Sequence, residues 1–301
     1  MILNQDILKQ IREQIGAENV LENEPMSAHT SMEVGGPAAY LFLPGSAEET
    51  AFLIRILKRA EFPFYIKGNG SNLLVRDEGY EGAVIELMRM KEIAVFGKEI
   101  AAQCGALLKD ISEVALAHAL TGFEFASGIP GSLGGAVCMN AGAYDGEMKD
   151  IVTKVMLLDM EGNLLQKSGD EMDFSYRHSL CSSGDYIVLS AVFGLEPGDA
   201  NQIREKIDDL SERRREKQPL EYPSCGSTFK RPEGYFAGKL ITDAGLKGYR
   251  IGGAQVSEKH AGFIINRDHA SASDVFALIA HVQKEVKDQF GVELQCEVKM
   301  L

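Results

Sequence analysis

Apolar residues recur at helical spacing near the start of the chain, at Ile2, Ile7, Leu8, Ile11 and Ile15, which predicts a short amphipathic helix. A second helical pattern opens with Ser46-Ala-Glu-Glu49, which has the form of a capping box, and extends through Ala60. Further helices are predicted from Leu107 to Leu120, stopping at Gly122, and from Asp199 through a highly charged stretch to Pro219. The last predicted helix starts near Ser271 or Ser273, carries Val275, Ile279, Val282 and Val286 on one face, and ends at Gly291. Between these patterns, apolar and β-branched runs predict strands at 38–43, 62–68, 82–87, 152–163, 185–196 and 292–301, and Asp159-Met-Glu-Gly162-Asn163 reads as a hairpin turn. The irregular alternation predicts an α+β or mixed α/β fold with more than one sheet, not a regular doubly wound one. The polar helix at 199–218 is the natural boundary between a larger piece and a smaller domain at about 219–290.

Composition narrows the classes. The chain has 301 residues, 45% hydrophobic and 25% charged, enough for two or three domains with full cores. It has no apolar run of bilayer length, and the N-terminus lacks the basic start and apolar middle of a secretory signal, so a cytoplasmic location without membrane insertion is expected. A net charge of −13 argues against nucleic-acid binding, although local basic groups can still hold a phosphate-bearing small molecule. The five cysteines, Cys104, Cys138, Cys181, Cys225 and Cys296, form no metal spacing, and the six histidines form no ligand pattern, so no metal is expected. Free thiols follow, with Cys225 a minor candidate for oxidation.

Two small-residue loops carry the first candidate chemistry. Gly68-Asn69-Gly70-Ser71-Asn72-Leu73 follows a predicted strand and suits an anion nest of inward-turned amides, or else a tight surface turn. It is neither a dinucleotide fingerprint, because Leu73 stands where the third glycine belongs, nor a Walker loop. Ser127-Gly128-Ile129-Pro130-Gly131, followed by Gly134-Gly135, offers a second nest or a site of close backbone packing. Together the loops suit a ligand with two phosphates and flat groups. Ser227, beside Gly226 on a polar loop, could donate a proton or merely turn the chain. Arg177, between Tyr176 and His178, could clamp a carboxylate as a bidentate fork or be structural. Glu297 faces a site or solvent according to strand register.

These pieces in this order resemble the UDP-N-acetylenolpyruvoylglucosamine reductase family, in its shorter class without a tyrosine-bearing loop insertion. The resemblance spans nearly the whole chain: residues 29–44, 68–75, 122–144, 174–179, 217–232, 237–266 and the last strand. It implies an α+β architecture, with a two-lobed FAD-binding domain of the vanillyl-alcohol-oxidase/PCMH type at 1–200 (lobes about 1–80 and 81–200). A smaller α+β substrate domain follows at 201–290, and a C-terminal strand at 291–301 returns to the site.

It also implies noncovalent FAD, with the pyrophosphate against residues 68–73 and 127–135, Asn140 and Gly142 along the flavin, and Arg214 helping to hold the cofactor. NADPH is the implied co-substrate and a UDP-sugar the implied substrate, contacted by Lys217, Lys230, Lys239 and Gln255. The implied reaction sends a hydride from flavin N5 to the vinyl carbon of the enolpyruvyl ether, leaving negative charge on the alpha carbon and its carboxylate. Arg177 supplies positive charge there, Ser227 protonates the alpha carbon, and Glu297 is expected to hold or share a proton.

Two other readings compete. One is an oxidase of the same cofactor fold that passes electrons to oxygen. Such enzymes often tether flavin through His or Cys near the first loop, where this chain has Asn69, Ser71 and Asn72. The other is a nonenzymatic nucleotide-binding or regulatory protein, against which the intact Arg177, Ser227 and Glu297 set argues.

Overall fold

A computed structural model describes residues 2–301. Two compact units interleave along the chain: residues 2–22, 40–69 and 82–214 form the first, and residues 23–39, 70–81 and 215–301 the second. The chain therefore passes between units five times, after residues 22, 39, 69, 81 and 214. This differs from the contiguous 1–200, 201–290 and 291–301 division expected from sequence. The reason is physical: short N-terminal segments complete the second unit's core, where Met32, Val34 and Leu74 pack with residues of 225–298.

The first unit begins with helix α1, Gln5–Ile15, whose Asn4 side chain accepts the Asp6 N–H at 2.8 Å and whose Leu8, Ile11 and Ile15 are buried. Helix α2, Ala47–Arg59, starts where the capping signal placed it, with the Ser46 hydroxyl accepting the Glu49 N–H at 3.1 Å. The strands Phe64–Lys67 and Tyr80–Glu86 run parallel, Tyr65 opposite Val84, so the 68–73 loop leaves the carboxyl end of a half-buried strand.

A five-stranded antiparallel sheet follows in the order Leu164–Ser168, Val152–Asp159, Tyr186–Gly194, Glu99–Gln103, Ile93–Phe96. Helices α3 (Leu108–Ala117) and α4 (Leu133–Cys138) lie on it and share its core, which includes the fully buried Ile100, Leu108, Ile111, Val155 and Phe193. The Asp159 turn forms as expected, its carboxylate accepting the N–H groups of Glu161 and Asn163. The hairpin of Ile93–Phe96 and Glu99–Gln103 was not legible in the pattern. Its turn rests on Gly97 at φ 62°. Helix α5, Ala200–Lys217, buries only the narrow stripe of Ile203, Ile207 and Leu210.

The second unit holds a sheet ordered Ser224–Ser227, Phe263–Asn266, Ala254–Val256, Arg250–Ile251. Helix α6 is Ala237–Asp243, and α7, Ala272–Phe290, buries Val275, Ile279, Val282 and Val286 as its spacing predicted. The α7 N-terminus is held by Asp77, whose carboxylate accepts the Ala272 N–H at 2.7 Å and the Ser273 N–H at 2.8 Å. The strand expected over 292–301 is not continuous. Only Lys299–Met300 forms a strand, parallel to Leu73–Leu74, and Cys296 makes an isolated bridge to Phe229. The other residues of the run bond to scattered neighbouring groups, as where the Leu294 carbonyl accepts from the Gln283 amide at 2.8 Å.

Candidate functional site

In the first unit Gly68 and Asn69, the start of the first small-residue loop, meet the second loop. Lys67, just before the loop, is buried and ion-paired with Glu86, and burial pulls its pKa down. Gly68 lies against Ser132 so closely that a Cβ there would come within 2.2 Å of the hydroxyl. The Asn69 amide donates to the Pro130 carbonyl at 2.7 Å. The Ser132 Oγ is buried and has no hydrogen-bond partner among the described residues. A buried hydroxyl without a partner is costly unless something else satisfies it.

The glycines here serve different ends. Gly134 packs on Cys104, where a Cβ would lie 3.0 Å from the Cys104 Cβ, and its N–H donates to the Cys104 carbonyl at 2.8 Å. Gly135 is different: it is exposed, sits inside α4, and a Cβ would meet nothing within 4 Å. Gly128 is crossed by Arg214, whose Cδ would be 3.0 Å from a Cβ. Burial lowers the pKa of that half-buried guanidinium, and the nearby Tyr144 phenol counters it. The Tyr144 hydroxyl itself donates to the Leu210 carbonyl at 3.2 Å. Ser127 closes its own turn through the Glu124 carbonyl, the Ile129 N–H donates to Ala126, and the Gly131 carbonyl accepts from Leu108. An orphaned hydroxyl, main chain stripped of side chains, open space beside Gly135 and a half-buried guanidinium fit a phosphate-bearing ligand.

Farther along the same unit, the side chain of Asn140 is engaged on all sides. It is fully buried, donates to the Glu147 carboxylate at 2.8 Å and to the Ser175 carbonyl at 3.0 Å, and accepts the Lys149 N–H at 2.9 Å. Gly142 is required by the hairpin it belongs to, since a Cβ would lie 2.7 Å from the Gly146 carbonyl. Arg177 sits in a turn closed by reciprocal backbone bonds between Ser175 and His178, at 3.1 and 3.2 Å, with a left-handed φ of 54°. The Lys149 ammonium, the Asn140 amide and the Arg177 guanidinium hold the Glu147 carboxyl below the usual range.

The second unit gathers Gly70, Asn72, Leu73, Ser227 and Glu297. Gly70 has φ 68°, and a Cβ would lie 2.1 Å from the His29 carbonyl. The Asn72 amide donates to the Glu297 carbonyl at 3.1 Å, and the Glu297 N–H donates to the carbonyl of Thr228, beside the exposed Ser227. The Leu73 carbonyl accepts the Cys225 thiol, whose pKa burial pushes up to about 12. Ser71 lies in the turn between Gly70 and Asn72.

Of the basic candidates, Lys230 is half-buried and bonds through its N–H to Gln295, near Glu297. Lys217 is exposed at the end of α5. Lys239 is paired with Asp243 at 2.6 Å, and the Gln255 amide donates to the Gly248 carbonyl. Arg177 belongs to the first unit, Ser227 and Glu297 to the second. A separate cavity of about 400 Å³ in the second unit, lined by residues such as Tyr222 and Arg267, contains none of the expected site residues.

Sequence reasoning missed Ser132, Tyr144, Glu147 and Lys149. A signal existed for the last three: they flank Asp145-Gly146, a turn pair inside a short hairpin. Among the described residues no group of three or more His, Cys, Asp or Glu is arranged to hold a metal ion, and no helix is long and apolar enough to cross a membrane.

Comparison with known proteins adds the following. A family model described as UDP-N-acetylenolpyruvoylglucosamine reductase, C-terminal domain, matches residues 218–301, and one described as FAD binding domain matches residues 38–168. A UDP-N-acetylenolpyruvoylglucosamine reductase of Caldanaerobacter subterraneus subsp. tengcongensis is 56% identical, covering 93% of this chain and 92% of that relative. The crystal structure of the reductase from Thermus caldophilus superposes with a TM-score of 0.80 at 33% identity, covering 93% of this chain and 97% of that one. Wild-type Phl p 4.0202, a glucose dehydrogenase, superposes on 65% of this chain and 45% of its own with a TM-score of 0.52 at 17% identity, a likeness of fold alone.

Proposed function

The chain belongs to the UDP-N-acetylenolpyruvoylglucosamine reductase family and is an FAD-dependent oxidoreductase, and from that premise we propose that it reduces UDP-N-acetylglucosamine-enolpyruvate to UDP-N-acetylmuramate with NADPH. The observation that carries this reading is the joining of Ser227, Glu297 and residues 70–73 through the Thr228 and Asn72 bonds to the Glu297 main chain. The chemistry the flavin supplies when bound is hydride transfer, taken from NADPH and delivered from N5 to the terminal vinyl carbon.

The chain's own residues do the rest. Main chain at 68–73 and 127–135, the Ser132 hydroxyl and Arg214 hold the diphosphate. Gly134, whose N–H is already engaged, contributes packing. The 68–73 loop offers no His or Cys for a covalent link, which supports a noncovalently held cofactor. Arg177 brings a planar, permanently charged fork to the substrate carboxylate and stabilises the charge that develops beside it. Ser227 delivers the proton to the alpha carbon. Glu297 holds or shares a proton, because a full negative charge there would oppose the reaction. Lys217, Lys230, Lys239 and Gln255 hold the UDP-sugar, Lys239 exchanging its Asp243 partner for phosphate.

The test separates the half-reactions. The purified protein should carry flavin absorbance that is released on denaturation, and anaerobically should turn over NADPH beyond one equivalent per flavin only with the enolpyruvyl substrate. Ser227→Ala should leave flavin reduction by NADPH intact and slow reoxidation by substrate about 10²- to 10⁴-fold, the usual worth of a positioned general acid. Reoxidation at the unsubstituted rate removes Ser227 from the mechanism, and oxygen-dependent turnover of an alcohol overturns the reading.

A further inference from the structure

The bonds of Asn140 lead beyond any place beside a cofactor, to Glu147 and to the turn at 175–178. Asn140, with φ 45°, is one of several non-glycine residues in the left-handed region here; Tyr144 at 50°, Asp145 at 69° and Arg177 at 54° are others. Such conformations persist where the surroundings over-determine them, and they cluster at functional sites. The surroundings can be named. The Asn140 amide reaches in one direction to the Ser175 carbonyl, the first residue of the turn that presents Arg177, and in the other to the Glu147 carboxylate. Its own carbonyl oxygen is anchored by the Lys149 N–H, and the Lys149 ammonium sits 2.8 Å from the same Glu147 oxygen. The reciprocal backbone bonds of the turn, between Ser175 and His178, are internal to residues 175–178. Asn140 is therefore a tie from that turn to the 140–149 segment, and it is fully buried.

We propose that Asn140 and Glu147 are positioning residues for Arg177: the amide fixes the turn through the Ser175 carbonyl, and the Glu147 carboxylate holds the amide in that orientation. The charge coupling between Glu147 and Arg177 agrees with this arrangement. The guanidinium also lies 5.3 Å from the Tyr176 ring centroid, so an aromatic face acts on it as well. A turn tied at its first residue presents the arginine fork in one orientation, which is what bidentate recognition of a substrate carboxylate requires. The inference rests on the role proposed above for Arg177.

Glu147→Gln is the main test, because glutamine still accepts the Asn140 amide while losing the charge. Reoxidation of reduced flavin by the enolpyruvyl substrate should slow about tenfold, the loss expected for one charge-assisted contact. The melting temperature and the rate of flavin reduction by NADPH should stay unchanged. Asn140→Ala should slow the same step at least as much. In an Arg177→Lys background, Glu147→Gln should add less than about twofold, because coupled residues are not additive. If Arg177→Lys slows reoxidation while Glu147→Gln leaves it untouched, or if the two effects multiply, the positioning role is wrong and Arg177 keeps its own. If Arg177→Lys itself reacts at the full rate, the reading of Arg177 fails first. Should Asn140→Ala not fold, Glu147→Gln decides alone.

Discussion

Residues 127–135 and residues 142–146 are both rich in glycine and lie within a few positions of each other, yet Gly135 in the first and Gly142 and Gly146 in the second lack side chains for opposite reasons. In the second stretch the space is already taken. A Cβ on Gly142 would lie 2.7 Å from the Gly146 carbonyl, and one on Gly146 would lie 2.6 Å from Cγ of the buried Phe125. In the first, Gly135 has nothing within 4 Å, and Ser132 keeps a buried hydroxyl without a partner. A helical glycine with open space beside it destabilises the helix and gains nothing from the protein's own packing. Glycine richness alone therefore cannot distinguish room for a ligand from room for the fold; the atoms around each position can.

The comparison can be broken by substitution. The largest effect should come from Gly142→Ala and Gly146→Ala. Each forces an atom into main chain or a core ring, and overpacking of that kind costs about 1–3 kcal/mol, read as a lower melting temperature with or without FAD. A melting temperature equal to that of the unsubstituted protein would show that the hairpin gives way and that its glycines are not structural. Next comes Ser132→Ala, which should weaken FAD retention about tenfold if the hydroxyl meets the ligand, since a lost hydrogen bond to a charged group is worth about 1.5–3 kcal/mol. The same change should leave the apoprotein as stable or slightly more so, because it removes an unsatisfied buried polar atom. A destabilised apoprotein with normal FAD retention would reverse the assignment. The smallest effect belongs to Gly135→Ala. Apoprotein stability should rise by about 0.5–1 kcal/mol, the alanine-over-glycine difference in a helix, while flavin affinity falls severalfold. Stabilisation with unaltered affinity would mean that the space beside Gly135 is simply solvent.

What was legible in the sequence was local. Ser46 and Glu49 announced α2 through a cap of three residues' reach, and Val275, Ile279, Val282 and Val286 announced α7 through a single period. The turn at Asp159 followed from its own side chain. The helix hidden in residues 133–138 was not legible, because Leu133-Gly-Gly-Ala-Val-Cys138 is too short and too rich in glycine to show a period. The C-terminal run looked like a strand because Leu294, Cys296 and Val298 alternate with polar residues, but alternation does not supply a partner along its whole length. Of the site, the residue types at 177, 227 and 297 were readable from motifs. The engagement of Asn140 was not, since one of its bonds spans 35 positions to Ser175.

The interleaving of the two units has a consequence for how such a chain can change over time. The stretch from residue 218 onward carries most of the second unit, yet Met32, Val34 and Leu74 belong to its core, and its last strand pairs with Leu73–Leu74. Cut free at 218, that stretch would leave apolar surface bare and a strand without its mate. Recombination cannot graft it onto another partner as a ready-made module, so the two ends of the gene must be inherited, and must diverge, as one.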